Sequence, residues 1–240
     1  MAKDPKPASA SELLRQLQNS EEVRHQTVAP AGLDPHLALL RAWQSERLAK
    51  TYADLLADKH TRPAGQFFLS DIYGPRDFTQ RDHDAERLHE ILSRLVPAPM
   101  LKQLTDVIQL NRLSAALDER LMKALFDELG VTGAITPELY AEAYRHCDNE
   151  AERARQIDLI VLVLSEAGQG AHWPGVGMGL KLAGGTARKT GWVELYDFLE
   201  RGYDAFKRIK DVKAFVSTVE RRERRILAQI FSGESDPFAI

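Results

Sequence analysis

The chain has one cysteine, Cys147, in 240 residues. That excludes an intramolecular disulfide and suits a reducing cytoplasm. Long apolar runs are missing too. The longest, Leu159 to Leu164, is far short of the roughly 20 residues a membrane helix needs. The opening MAKDPKPASAS is polar and has no apolar signal region, so a cytoplasmic protein is expected. Neither sign of charge dominates: 32 basic residues stand against 35 acidic ones, a net charge of −3. The chain as a whole has no pull toward nucleic acid or an anionic membrane. Strand alternation between turn signals is absent, and so is any repeat with a period of about 20–50 residues.

What is present is helical periodicity. Asp34-Pro35 is an N-cap followed by proline at the first helical position. Leu37, Leu40, Gln44, Leu48, Tyr52 and Leu55 then recur every three or four residues, which predicts a helix to about Lys59. Pro63 opens a short helix, and Ala85, Leu88, Leu92 and Leu95 mark another. A long helix is expected from Met100 to about Leu129, capped by Gly130, and the next starts at Thr136-Pro137. Glu150 to about Ala167 carries LIVLVL, apolar all round, which predicts a central helix. The last two helices follow from Trp192 and from Phe215. The expected fold is all-α, a single bundle of eight or nine helices. Residues 9–240 form it, and 1–8 form a disordered tail without an apolar face. At 44% hydrophobic residues this chain can bury roughly 70–75% of its unfolded surface without a metal or disulfide.

FFLSDIYGPRDF, Phe67 to Phe78, is the least ordinary stretch. Phased at about 100° per residue, Phe67, Phe68, Leu69, Ile72 and Tyr73 cover most of a helix, with Asp71 inside the apolar arc. A carboxylate there is costly unless paired. Gly74-Pro75 stops the helix and Asp77 restarts one. Arg81 and Asp84 extend the next apolar stripe backward, so Arg81 is the expected partner of Asp71. Two readings stay open: an ion pair that fixes a helix corner, or a pocket lined by Asp71, Tyr73, Arg81 and Asp84.

The pattern FF-x-x-D-x-YG-x-x-DF-x-x-RD-x-x-x-ER resembles the signature of a family of uncharacterised bacterial all-α proteins of about this length. The similarity continues through LLRAWQSERLAKTY, LERGYDAF and RRERRIL, and so covers most of the chain. It implies a helical fold and brings no activity, so no catalytic residue is carried over.

Other constellations carry little chemistry. Glu86-x-x-His89 and Glu22-x-x-His25 have di-iron spacing, but neither pair faces a strong apolar stripe, and no metal site is expected. Residues 168–191 hold eight of the fifteen glycines, yet contain neither a G-x-G-x-x-G nor a Walker motif. They form a loop or irregular helix. Either Gly175, Gly177, Gly179 and Gly184 admit a flat ligand such as haem, with His172 beside it, or they let helices pack closely. His146 and Cys147 are neighbours and point apart on a helix, so they form no nucleophilic pair. Asp158 and Glu223 interrupt apolar stripes, which predicts helix-pairing salt bridges. Glu220-Arg-Arg-Glu-Arg-Arg225 is half neutralised by its own glutamates, so nucleic acid is not an expected partner. The first functional expectation is a non-catalytic helical protein acting through protein contact, a homodimer or a protein partner. The alternative is a small-molecule-binding bundle, with haem the first ligand to test. Its pocket would lie between the 67–84 corner and the 168–191 segment, using Asp71, Tyr73, Arg81, Asp84 and His172.

Overall fold

The computed structural model describes residues 28–29, 32–72, 98–190 and 193–240, with only the backbone described at 28–29, 32–33, 71–72, 98–101, 103–104, 183, 186, 189–190 and 194–195. The tail at 1–8, the helix from Ser9, the Gly74-Pro75 stop, the stripe from Ala85 and Trp192 lie outside these residues. The fold is all-α, with nine α-helices among the described residues. A two-residue antiparallel pairing, Val28–Ala29 with Gly32–Leu33, precedes them.

Helix α1 spans Pro35–Thr51. Asp34 caps it, its Oδ1 accepting from the amides of His36 (2.8 Å) and Leu37 (3.1 Å). Leu37, Leu40, Gln44 and Leu48 are its buried stripe, as the periodicity predicts. The helix does not continue to Lys59. It breaks at Tyr52, whose ψ is 25°, and restarts as α2, Ala53–Ala57. The Arg222 guanidinium takes up the Thr51 carbonyl at 2.9 Å and supplies a partner at the break.

Helix α3, Arg62–Phe67, has Pro63 in its first turn and then widens into a π-helical turn, Phe68–Ile72. The 100° phasing of Phe67–Tyr73 therefore does not apply beyond Phe67. Phe67 is buried against Phe198 and Phe206, while Ser70 is exposed. Helix α4, Ala98–Met122, runs into a second π-helical turn, Lys123–Glu128. Gly130 ends it in the left-handed region at φ 65°. Helix α5, Pro137–His146, is capped by Thr136.

Helix α6, Glu150–Gly170, is the axis of the fold, packed against α4 and against the last helix, α9, Val212–Ser232. Ile157, Ile160, Val163 and Leu164 are buried, but Leu162 is 36% exposed, so this helix is not enclosed all round. The glycine-rich segment is helical: α7 spans Val176–Thr190, and α8, Val193–Phe206, packs on it. An added Cβ on Gly177 would stand 2.4 Å from the Tyr203 hydroxyl, and on Gly184 2.8 Å from that of Tyr196. Both rings of α8 lie over glycine backbone. Close helix packing is therefore one use of these glycines.

Candidate functional site

Two spaces inside the bundle gather chemistry. The larger lies between α3, α4, α6, α7 and α8. It has a volume of about 170 Å³, and Phe67, Val163, Leu180, Phe198 and Phe206 form much of its wall. Trp173, 42% exposed, stands at its edge. The periodicity of α6 and α8 places these apolar side chains inward, and the glycine contacts bring α7 close enough to complete the wall. Glu166 is the charged residue among the described lining residues. Lys102 bridges Glu166 and Asp106, at 2.7 Å to each. Burial pushes the Glu166 carboxyl above its ordinary range; Lys102 opposes this and Asp106 adds to it. The Lys102 ammonium is held above its ordinary value by hydrogen bonds to both carboxylates. The cavity is thus an apolar chamber with one wall that accepts hydrogen bonds.

The smaller space, about 40 Å³, is polar and draws on α1, α4, α5, α6 and α9. Arg47 pairs with Glu223 at 2.8 Å, and Tyr52 donates its hydroxyl to the same carboxylate at 2.7 Å. Gln44 Nε2 donates to Asp118 at 3.0 Å and to the Tyr140 hydroxyl oxygen at 3.4 Å. Arg153 donates to Gln156 Oε1 and to the Leu117 carbonyl, both at 3.2 Å, and lies 4.1 Å from the centre of the Tyr144 ring. Burial pushes the Asp118 carboxyl up, against Gln44 and Arg153, and pushes the phenols of Tyr140 and Tyr144 up as well. Trp43 stacks on Tyr140 with ring centres 4.0 Å apart.

The residues singled out from sequence fall differently. Tyr73, Arg81 and Asp84, with Glu22, His25, Glu86 and His89, lie outside the described residues, as does the Asp71 side chain. His172 is exposed, its Nδ1 within hydrogen-bond distance of the Gly168 carbonyl at 2.8 Å, and it does not line the cavity. Neither histidine nor cysteine is among the described lining residues, so the haem reading has no imidazole or thiolate ligand there. His146 pairs with Glu128 and leaves Cys147 alone. Asp158 and Glu223 both join helices, to Arg224 of α9 and to Arg47 of α1. Among the described residues no three His, Cys, Asp or Glu side chains gather as a metal site.

Arg47, Asp118, Tyr140 and Arg153 were not singled out from sequence, and Gln44 only as part of a helical stripe. A signal existed: Gln44, Arg153 and Gln156 sit on the buried stripes of their helices. Polar residues on an apolar stripe reach one another when the helices converge. No described helix is long and apolar enough to cross a membrane. Residues 22–237 match a family described as a domain of unknown function (DUF8198). No curated protein and no solved structure matches the chain.

Proposed function

The chain belongs to this family of unknown function, and from that premise we propose that it is a small-molecule-binding helical protein. The observation that carries the reading is the 170 Å³ apolar cavity beneath the glycine-rich helix. An apolar cavity of about 150 Å³ is large enough to take a benzene-sized molecule and stays dry when empty. The ligand this chamber suits has an apolar body near one aromatic ring in size. A hydrogen-bond donor on that body would meet Glu166. Among the described lining residues this is the one carboxyl, and it gives orientation as well as affinity.

Calorimetric titration of the full chain with benzene and phenol tests the reading. Both bind saturably, phenol more tightly. Ala167→Leu, which fills the chamber, abolishes both. Glu166→Gln weakens phenol and leaves benzene unchanged. Absence of binding to the wild-type chain, or binding untouched by Ala167→Leu, rules the reading out. If light scattering then showed a dimer that Leu182→Glu disperses, the protein-contact reading would take its place. Met178 and Leu182, one turn apart and 65% and 73% exposed, are the residues it would rest on.

A further inference from the structure

Arg153 is 3% exposed. Its guanidinium meets two neutral acceptors at the long end of hydrogen-bond range and an aromatic ring. No carboxylate forms an ion pair with it among the described residues, whereas Arg47 has Glu223. A buried cation satisfied only by neutral groups is costly. Asp118 compensates its charge in part, and burial itself disfavours the charge on that carboxyl.

The space beside Arg153 has the character of an anion site. Arg153 and Arg47 both line it, and the Nε of each is buried without an acceptor. The Asp118 and Glu223 carboxyls line it too, but Glu223 is taken by Arg47 and Tyr52, and Asp118 accepts from Gln44 while burial disfavours its charge. Tyr140 also lines it. Its hydroxyl oxygen accepts from Gln44 and still has its own proton to donate. Three donors therefore border one small space. Among the described residues Gln44 Oε1 is the single buried acceptor there without a donor. Water serves donors and acceptors about equally; a surplus of donors, two of them on cations, favours a negatively charged guest. Size then restricts the guest. One water needs about 10–15 Å³ of such space, so 40 Å³ holds about three atoms of that size. Formate has three heavy atoms and acetate four; phosphate and sulfate have five.

We propose that the cavity between Arg47 and Arg153 binds a small carboxylate. This site is separate from the apolar chamber and does not depend on it. The carboxylate is either a free short acid or the head of a longer one. The latter's tail would enter the adjoining apolar space bounded by Leu48, Phe215 and Val219, which shares Ile160 and Glu223 with the site.

The test is calorimetric titration of the full chain with sodium formate, acetate and hexanoate, with sodium sulfate keeping ionic strength constant. The expected result is saturable binding of at least one of these acids. Formate or acetate binding tighter than hexanoate identifies a free short acid, and the reverse order identifies the head of a longer one. Arg153→Met weakens binding at least tenfold, and Tyr140→Phe weakens it several-fold. If Arg153→Met does not fold, Tyr140→Phe and Arg47→Lys decide the question. No saturable binding to the wild-type chain, or unchanged binding in the folded variants, overturns the proposal. A crystal structure grown in formate with only water in the cavity overturns it as well.

Discussion

Glu223 joins helices through one carboxylate. It accepts from Arg47 of α1 and from the Tyr52 hydroxyl at the break beyond it, and both charged side chains are about one-seventh exposed. Removing one member of such a pair strands the other, at a cost of about 3–5 kcal/mol. Glu223→Ala should therefore lower the urea-unfolding free energy by about that amount. The double change Arg47→Met, Glu223→Leu should cost much less, because no charge is stranded. Equal losses in the two variants would contradict this account. Cys147 gives a second prediction at this scale. Burial pushes its thiol up, so little thiolate is present at about pH 8. Its reaction with a thiol reagent should be slower than that of free cysteine, and an equal rate would show the thiol to be exposed. Glu223 and Asp158 were legible in sequence because each interrupts an apolar stripe. Their partners were not, since a stripe shows which face is buried but not which helix meets it. Arg153 was missed for a related reason. It sits on the buried stripe of α6 but among charged residues, and the stripe does not say that α4 and α5 close over it.

At the scale of the element, the glycines of α7 divide by what stands beside them. Gly184→Ala would place a methyl group 2.8 Å from the Tyr196 hydroxyl and should destabilise by about 1–3 kcal/mol. Gly179→Ala meets nothing within 4 Å and should stabilise by about 0.5–1 kcal/mol through backbone entropy. Thermal melts of the two variants should move in opposite directions. Shifts of the same sign would mean that α7 does not pack as described. A pH effect belongs to the clamp between α2 and α9. Arg222 donates twice to Asp54, at 2.7 and 2.8 Å, and these bonds hold that carboxyl below its usual range. As pH falls the unfolded chain takes up this proton first. The stabilisation is thus present above about pH 4 and lost below it. Asp54→Asn should lower stability at neutral pH and flatten the acid loss, read from urea midpoints across the acid range. Parallel curves for the two proteins would contradict it. Helix starts at Asp34-Pro35 and Thr136-Pro137 were legible because a cap is local chemistry, and the one at Pro63 because proline suits a first helical turn. The break at Tyr52 and the two π-helical turns were not: the break meets Arg222 of α9, the first turn packs on α1 and the second on α5, and no local pattern contains such contacts.

At the scale of the molecule, α6 separates two internal spaces of opposite character. One is apolar and closed on one side by glycine packing; the other is lined by two arginines, two tyrosines and the carboxyls of Asp118 and Glu223. All-α architecture was plain from periodicity alone. The cavities were not, since a void is what several helices jointly fail to fill, and no one segment records it. The central claim is that the larger space holds an apolar molecule in the working protein. Non-denaturing mass spectrometry of the full chain, purified without added ligand, tests it most directly. The account predicts a bound small apolar molecule on the wild-type protein and none on Ala167→Leu. The same mass excess on both proteins, or none on either together with no uptake of benzene or phenol, would contradict it.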